Sequence, residues 1–467
     1  MQFTIHQALM PIPEGYQTID VQVSAGKIAA IAPQLPTQGD AIDGTNQLLL
    51  PGFVNAHTHS SEFWQRGLIG PYPLELWLGE LHEFSPLEPE QIYLSALATA
   101  LETLHSGGTT VVDHLVLIPG QEVATVAAAV HAYREIGIRA VIGPLIYDQT
   151  LAQGIPDGGA NRKSEGFAYT TTEMLSLMET VIAQFHAPEQ GIEIMVAPTG
   201  IQLCSDDLFK GCIDLSDRFA LCRHTHLLET QAQQRLAQEK YGCTAVEHLH
   251  RLGFLNQRTA LAHCIWLTDS DISILAQTGA TVVHNPLSNL RLGSGIAPIF
   301  KYRQAGINIA IGCDGAASND GQDLLEAIKL SAILHNITEP DYRHWLKPSE
   351  AIEIAAQGGA QGLGQGQQRG RLTEGMSADL VLYDLTQLSL LPKTNPVGLL
   401  VLGRPCQAVR MAWVQGSCVI DQGQATQIDE TRLRQDLLAY GNWLAHRPST
   451  NIAQMETHYR QIMGLEP

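Results

Sequence analysis

The chain has 467 residues and a formal net charge of −19, from 28 basic and 47 acidic side chains. This charge repels nucleic-acid backbones and anionic membrane surfaces, so neither is expected as a partner. The sequence contains no apolar run of 18 residues and no amino-terminal signal pattern, which favours a cytoplasmic protein.

The composition predicts a globular protein with two structural units. Hydrophobic residues make up 45% of the chain and charged residues 16%, as in ordinary globular domains. A chain of this length is too long for a single ordinary hydrophobic core, but its length suits an α/β barrel with an appended small domain. The eight cysteines include no C-x-x-C pair, so we expect reduced packing residues rather than disulfides or a zinc–thiolate site.

The first 50 residues alternate apolar and polar positions, as β-strands with one buried face do. The alternation is interrupted at Ala25-Gly26, which predicts a turn between two strands. The same alternation returns from residue 370 to about 425. Neither piece has enough strands to bury a face alone, so we expect both chain ends to build one small β-sandwich domain.

Between these ends the pattern is an apolar strand, a polar tip and an amphipathic helix, repeated. Strands are predicted at 48–54, 109–113, 140–143, 192–197, 220–226, 259–263, 281–284 and 307–313. Helices are predicted at 89–105, 122–136, 172–185, 206–219, 229–252, 270–278, 323–334, 348–356 and 430–444. Eight apolar strands alternating with helices predict a closed (β/α)8 TIM-type barrel.

The predicted domain boundaries follow from these patterns. Residues 1–50 and 370–425 form the small β domain, 51–369 form the barrel, and 426–467 form a helical tail. The polar segment 147–172 is too long for a plain connection between two elements. A lid or substrate loop and a surface insertion both remain open for it.

Two histidines end the first predicted barrel strand. His57 and His59 lie two residues apart, so on a strand they point the same way and can bind one metal ion. Such a pair is weak evidence alone, but the carboxyl ends of other predicted strands carry further polar residues, namely His224, His226, Glu229, His263, His284 and Asp314. Because barrel enzymes place their chemistry at these ends, a metal site is predicted there.

Neutral imidazoles with a carboxylate suit zinc, and iron(II) or manganese less well. Such an ion would lower the pKa of a water molecule from 15.7 toward roughly 7, which supplies hydroxide at neutral pH. The predicted fourth strand carries no lysine that could bridge a second ion. We therefore expect one divalent ion, most simply Zn²⁺.

The strand-end motifs resemble those of the amidohydrolase superfamily, and within it the branch of methylthioadenosine/S-adenosylhomocysteine deaminases, guanine and 8-oxoguanine deaminases and triazine hydrolases. The motifs are His57-Thr58-His59, His224-Thr225-His226-Leu227-Leu228-Glu229, Ala262-His263-Cys264, His284-Asn285-Pro286 and Cys313-Asp314-Gly315. The resemblance covers nearly the whole chain. The set of motifs is highly specific for the superfamily, but it is much less specific for the substrate.

The resemblance implies a metal-dependent deaminase that releases ammonia from an aminated N-heterocycle or its nucleoside, such as a purine, pterin, pyrimidine or S-adenosylhomocysteine-like compound. The implied metal ligands are His57, His59, His226 and Asp314. Glu229 would pass a proton to a ring nitrogen, His263 would orient the water or stabilise the developing charge, and Asp314 would take the proton of the water. A homodimer or higher homo-oligomer is usual for such folds.

Substrate contacts are predicted at Glu62, Trp64, His284 and Ser318. Related purine-base deaminases tend to have glutamine at the position of Glu62, and adenosine-type deaminases an apolar residue. Glu62 would suit a ring with N–H donors, or would be paired with Arg66. Trp64 would stack on a flat ring or pack in the core.

The remaining histidines leave further alternatives open. For His284 a substrate contact and a supporting role behind the site are equally compatible with the sequence. His224 is interpreted as structural, and His114 as a possible pocket residue.

Two other functions are compatible with the motifs. A triazine-type hydrolase of the same fold would expel chloride or an alkylamine by the same attack of hydroxide. A non-catalytic metal-binding barrel is disfavoured, because the chain retains both an acid and a base, Glu229 and Asp314.

Overall fold

The structure is a computed structural model that describes residues 1–82, 87–154, 169–444 and 453–465. Most of the segment predicted as a lid or an insertion, residues 155–168, lies outside the described residues. Among the described helices, none combines the length and the apolar character needed to cross a membrane.

The strands of the described residues form three hydrogen-bonded sheets. In chain order they are β1 (Gln2–Ile12), β2 (Gly15–Ser24), β3 (Lys27–Ala32), β4 (Asp40–Asp43), β5 (Gln47–Pro51), β6 (Phe53–His59), β7 (Gly108–Leu115), β8 (Arg139–Ile146), β9 (Ile192–Ile194), β10 (Ala197–Pro198), β11 (Arg223–Leu227), β12 (Thr259–His263), β13 (Thr281–His284), β14 (Ile309–Ile311), β15 (Asp314–Gly315), β16 (Leu380–Asp384), β17 (Val409–Val414), β18 (Ser417–Asp421) and β19 (Gln424–Ala425).

Helices connect most of the central strands. They are α1 (Leu74–His82), α2 (Pro89–His105), α3 (Glu122–Ile136), α4 (Thr171–Phe185), α5 (Asp206–Phe219), α6 (Gln231–Tyr241), α7 (Ala245–Leu252), α8 (Asp269–Thr278), α9 (Pro286–Arg291), α10 (Ile299–Gln304), α11 (Leu324–Ile333), α12 (Pro348–Glu353), α13 (Gly359–Gly362), α14 (Pro396–Gly403), α15 (Glu430–Leu444) and α16 (Ala453–Met463). A short 3-10 helix, Ser60–Gln65, follows β6 directly.

The central strands form the predicted barrel. Parallel pairing runs from β6 through β7 and β8 to β9 and β10, and separately from β11 through β12 and β13 to β14. A parallel bridge between Val196 and Arg223 joins the two groups, and β15 pairs with β6 to complete the ring. All strand carboxyl ends therefore meet at one mouth, where α/β barrels carry their chemistry.

The chain ends form a second β unit, as predicted. Its sheet runs in the order β19-β18-β17-β16-β5-β1-β2-β3, with β4 beside β1. This sheet encloses its own core, to which both ends contribute, from Phe3, Ile5 and Val21 to Leu380, Leu382 and Trp413. Phe3 stacks on Trp413 with their ring centroids 5.2 Å apart.

The predicted strand at 48–54 is wrong in one respect, because the structure divides it at Gly52. Residues Gln47–Pro51 pair with β16 in the small sheet, while Phe53–His59 pair with β7 in the barrel. A Cβ at position 52 would lie 2.1 Å from Thr109 Oγ1, so only glycine allows this close crossing between the two units.

The predicted helix at 229–252 is also divided. Gly242 ends α6 with φ of +66°, and the Thr244 side chain accepts a hydrogen bond from the Glu247 backbone to start α7. A left-handed glycine followed by a threonine cap is a strong stop-and-start signal. Helical periodicity continues across the break, which is why periodicity alone does not reveal it.

Replacing the buried Trp413 tests the packing of the small β unit. Trp413→Ala should lower the free energy of unfolding by ~3–5 kcal/mol, because it leaves a large cavity against Phe3. Tyr342→Ala, which truncates a ring that is 72% exposed, should change it by no more than ~0.5 kcal/mol. Urea denaturation measures both values, and equal losses in the two variants would contradict this packing.

Candidate metal centre and active site

A cavity of about 340 Å³ opens at the carboxyl ends of the barrel strands. Its floor contains His59, His226, Glu229, His263 and Asp314. Its walls are mostly apolar, with contributions from Leu74, Trp77, Leu78, Leu81, Leu87, Ile92, Val116, Leu117, Ile118, Leu145, Met174, Leu203 and Leu292. A deep apolar pocket with a few convergent polar groups is the usual form of a small-molecule site.

The four predicted metal ligands meet at this floor. His59 Nε2 lies 3.2 Å from His226 Nε2. Asp314 Oδ1 lies 3.3 Å from His57 Nε2 and 3.5 Å from His59 Nε2. These residues come from β6, β11 and β15, so the closed barrel brings together positions more than 250 residues apart in the chain.

The hydrogen bonds behind two of these imidazoles fix their tautomers. His59 Nδ1 donates to the His114 carbonyl at 2.6 Å, and His226 Nδ1 donates to the Thr199 carbonyl at 2.7 Å. A carbonyl only accepts, so each Nδ1 carries the proton and each Nε2 presents a lone pair. The two facing Nε2 atoms are thus both acceptors and cannot share a hydrogen bond.

A cation bound between the two Nε2 atoms would bind both lone pairs. Two Zn–N bonds of about 2.0–2.1 Å at a tetrahedral angle would separate the nitrogens by about 3.3 Å, and the observed separation is 3.2 Å. The fully buried His57 Nε2 has no hydrogen-bond partner among the described residues. The residues present therefore fit a divalent ion of zinc type.

His224 supports His57 from behind. The buried His224 Nε2 lies 2.8 Å from His57 Nδ1. If His57 Nε2 faces an ion, its Nδ1 donates to His224, which fixes the ring plane as partners behind metal ligands commonly do. The sequence indicated only a structural role for His224, although its two-residue spacing from His226 already placed both side chains on the same side of the strand.

Burial and the neighbouring histidines have opposite effects on the pKa of the Asp314 carboxyl. Burial alone would raise the pKa of this carboxyl, but its interactions with the neighbouring His57, His263 and His59 hold the pKa well below its usual range. Asp314 also has a φ of +64°, which is strained for a residue with a Cβ. The fold holds this carboxylate ionised and in a fixed direction.

Glu229 and His263 form a second pair beside Asp314. His263 Nε2 lies 3.4 Å from Glu229 Oε2 and 3.7 Å from Asp314 Oδ2, while His263 Nδ1 lies 2.8 Å from Asn289 Oδ1. Burial, opposed in part by His263, raises the pKa of Glu229 to about 7. One carboxyl of the site can therefore carry a proton at neutral pH while the other does not.

Glu62 and Ser318 line the cavity, and their contact with a substrate stays a prediction. Glu62 is 5% exposed, and its Oε2 has no hydrogen-bond partner among the described residues. Burial and the nearby Asp314 raise its pKa well above the usual value. Arg66, its predicted alternative partner, instead pairs with Glu102 at 2.6 Å.

Trp64 and His284 do not line this cavity, in contrast to their prediction as substrate contacts. Trp64 lies in the main hydrophobic core, and its indole donates to the Gln91 carbonyl at 2.9 Å. His284 Nε2 lies 3.1 Å from the Nε2 of the buried His335. Both side chains are held by residues that do not line the cavity. Their positions in the sequence, close to the ends of strands, do not reveal these contacts.

His114 lies closer to the metal ligands than the sequence indicated. Its ring centroid is 5.0 Å from that of His226, and its ligand atom falls in the same group as those of His57, His59 and His226, all within 4.8 Å of one another. Its Nε2 donates to the Ala197 carbonyl. His114 thus supports His59 through its carbonyl and packs against His226 through its ring.

Comparison with known proteins agrees with this geometry. Residues 48–416 match the model of the amidohydrolase family. A 5-methylthioadenosine/S-adenosylhomocysteine deaminase of Thermococcus sibiricus is 34% identical over 411 residues, which cover 86% of this chain and 89% of the relative.

Two solved structures are similar along nearly the whole chain. An adenosine deaminase from Xanthomonas campestris with bound zinc is 26% identical, with a TM-score of 0.84, over 95% of this chain and 98% of the other. An atrazine chlorohydrolase from Arthrobacter aurescens in complex with zinc is 25% identical, with a TM-score of 0.85, over 94% and 99% of the two chains. Zinc-containing barrels with a small added domain therefore share this fold.

Replacing His224 tests its supporting role. His224→Ala should weaken zinc binding roughly 10- to 100-fold, because His57 loses the partner that orients it. His248→Ala, which removes a histidine paired with Asp206 outside the site, is the matched control. Competition with a zinc chelator measures both affinities, and equal affinities in the two variants would remove the supporting role.

Proposed function

We propose that this chain, a member of the amidohydrolase family, is a hydrolytic deaminase that uses one zinc ion to deaminate adenosine-type nucleosides with an apolar 5′ substituent. One observation carries this proposal: three imidazoles and Asp314 converge beside Glu229 and His263 on the floor of a deep apolar cavity. His57, His59, His226 and Asp314 would hold the ion. The ion supplies a nucleophile at neutral pH by lowering the pKa of water.

Glu229 supplies the acid. Its pKa of about 7 leaves a large protonated fraction at neutral pH, and its position on the cavity floor lets it donate to a bound ring. For an adenine ring the acceptor is N1, next to the reacting C6. Protonation of N1 draws electron density from C6 and makes that carbon easier for water to attack.

Asp314 and His263 act on the attacking water. Asp314 directs Oδ1 toward His57 and His59, which leaves Oδ2 facing His263. Oδ2 takes one proton from the water as the C–O bond forms, and His263 holds the water in line. Positioned groups of this kind each contribute roughly 10²–10⁴ to the rate.

The carboxyl groups of Asp314 and Glu229 also transfer the protons that complete the replacement of the amino group. Asp314 passes its proton to the amino group, the C–N bond breaks and ammonia leaves. Glu229 takes the remaining hydroxyl proton, which forms the 6-oxo product with hydrogen on N1. Water and one amine are consumed, ammonia and one carbonyl are formed, and both carboxyl groups return to their starting states.

The cavity walls support the choice of substrate. The Thermococcus relative is named for methylthioadenosine and S-adenosylhomocysteine, two nucleosides that differ in their 5′ tail. Here the described residues that line the cavity include no lysine or arginine, and the apolar ones among them are mostly aliphatic. Such walls stabilise a methylthio or methyl group by burial at ~25 cal/mol per Å², but the described lining offers no lysine or arginine to pair with a carboxylate tail.

Two other expectations belong to this proposal. A homo-oligomer, with the homodimer as its simplest form, is usual for the fold. A cytoplasmic location agrees with the strongly acidic composition and the reduced cysteines. Sedimentation of the purified protein and fractionation of the source cells would test them.

Triazine hydrolysis is the second candidate, favoured by the similarity to atrazine chlorohydrolase. The same acid and base would serve chloride as the leaving group, since the attack of water on an electron-poor ring carbon is shared. We place it second because the deaminase relative is more similar in sequence, at 34% against 25% identity.

A substrate panel separates the candidates. Ammonia should be released fastest from 5′-methylthioadenosine, and more slowly from S-adenosylhomocysteine, free purines, pterins and pyrimidines. Ammonia assays and chromatography of the 6-oxo products measure these rates with the zinc-loaded protein. Chloride release from atrazine without ammonia from any nucleoside would reject the first candidate and establish the second.

Replacing Glu229 tests the proton donor. Glu229→Gln keeps the shape of the side chain but removes the transferable proton, so kcat/KM should fall roughly 10²- to 10⁴-fold. Glu239→Gln, an exposed position on the following helix, is the matched control and should retain full activity. Similar rates for the two variants would remove Glu229 from the mechanism.

The pH profile tests the charge state of Glu229. Its acid form is populated below its raised pKa and lost as the pH rises through about 7. We therefore expect kcat/KM to decline on the alkaline side of about pH 7, and this limb to be absent from the residual activity of Glu229→Gln. An alkaline limb unchanged by the substitution would assign it to another group.

A further inference from the structure

The turn that carries Glu229 has a strained backbone. Strand β11 ends at Leu227, and the next residue, Leu228, has a φ of +48°, which is unfavourable for a residue with a Cβ. The chain thus leaves the direction of the strand just before Glu229, which lines the cavity, and α6 begins at Gln231. A conformation of this kind persists only where neighbouring groups fix it.

Hydrogen bonds fix this turn on both sides of Glu229. Before it, the Leu228 carbonyl accepts from the backbone N–H groups of Ile265 and Trp266 at 3.0 and 3.1 Å. After it, the Gln233 side chain accepts from the backbone N–H of Glu229 at 2.9 Å. The position of the Glu229 carboxyl therefore depends on contacts made by the backbone of the turn.

Thr230 and Glu75 complete the network on the helix side. The Thr230 hydroxyl caps α6 by accepting from the Gln233 backbone at 3.2 Å, and it donates to Glu75 Oε1 at 2.5 Å. Because one hydroxyl makes both bonds, the Glu75 carboxyl fixes the direction of the cap and hence the first turn of α6. Hydrogen bonds thus run without a break from Glu75 through Thr230 and Gln233 to the backbone of Glu229.

Glu75 lies on α1, behind the wall of the cavity. Leu74 and Leu78 of this helix line the cavity, whereas Glu75 does not line it and is only 5% exposed. Burial raises the pKa of Glu75, so an acid is a costly choice at this position. An apolar side chain would fill the space at lower cost, but it could not accept the hydrogen bond from Thr230.

We propose that Glu75 is a positioning residue for the deamination, which holds Glu229 in the direction needed for proton transfer by way of Thr230 and Gln233. This inference rests on the proposed function, in which Glu229 is the proton donor. Because Glu75 acts on the placement of the acid, its loss should slow the chemical step. A loss of wall packing alone would instead weaken substrate binding and raise KM.

Variants that remove or keep the hydrogen bond test this role. Glu75→Met fills the space without an acceptor, whereas the amide oxygen of Glu75→Gln can still accept from Thr230. Thr230→Val removes the hydroxyl, and Thr230→Ser keeps it. Thr244→Val is the matched control, because Thr244 caps α7 in the same way, with a bond to Asp271 and one from the Glu247 backbone.

The zinc-loaded variants are assayed with 5′-methylthioadenosine. The maximum of each pH profile gives kcat, because Glu75 also contributes to the raised pKa of Glu229. In Glu75→Met and Thr230→Val, kcat should fall roughly ten- to a hundredfold, while KM changes by no more than about threefold. Glu75→Gln and Thr230→Ser should recover most of kcat, and Thr244→Val should keep it. The double variant Glu75→Met/Thr230→Val should lose no more than the slower single variant, since both substitutions break the same bond.

Crystal structures of Glu75→Met and Glu75→Gln add a readout that needs no turnover. The distance between Glu229 Oε2 and His263 Nε2 is 3.4 Å in the wild type. It should lengthen in Glu75→Met, because the turn loses one of its supports, and it should be kept in Glu75→Gln. An unchanged position of Glu229 in Glu75→Met would contradict the proposal.

Three kinetic results would also overturn the positioning role. A higher KM with unchanged kcat in Glu75→Met would reduce Glu75 to a packing residue of the cavity wall. An equal loss of kcat in Thr244→Val would assign the effect to helix capping in general. Additive losses in the double variant would show that the two side chains act independently. If the wild type deaminates no adenosine derivative, the proposed function fails instead, and the two crystal structures still decide whether Glu75 positions Glu229.

Discussion

The site depends on imidazole rings that are held from behind so that their Nε2 atoms face one another. Fixed carbonyl acceptors take the Nδ1 protons of His59 and His226, and His224 lies against His57. Lone pairs are thereby directed into one small volume next to Asp314, where a single cation can bind them together. The carbonyls belong to β7 and to the connection after β10, so the backbone of the barrel itself sets the geometry of the site.

Two carboxyl groups that both lie near His263 Nε2 have pKa values shifted in opposite directions. The pKa of Glu229 is raised to about 7 by burial, whereas the surrounding imidazoles hold that of Asp314 well below its usual range. An acid and a base are thus available at the same pH without any movement of the backbone. Glu62 adds a third buried carboxyl to the lining of the cavity.

Much of this arrangement could be predicted from the sequence, because strand periodicity and strand-end chemistry are local properties. The ring of strands, the small unit from both chain ends, and the meeting of His57, His226 and Asp314 all follow from where apolar runs stop. The division at Gly52 could not be predicted, since it depends on contact with Thr109. The hydrogen bond from Trp64 to a carbonyl of α2 could not be predicted either, because it depends on tertiary packing. The partners behind the imidazoles are mostly backbone carbonyls, which leave no signature in the side-chain sequence.

The central claim is that one cation is shared by His57, His59, His226 and Asp314. Anomalous diffraction from crystals of the zinc-loaded protein, recorded at the zinc absorption edge, measures this directly. The account predicts a single strong peak, about 2.0–2.2 Å from the three Nε2 atoms and from a carboxylate oxygen of Asp314. No peak at this floor, or a peak whose ligands exclude Asp314 or two of the histidines, would contradict it.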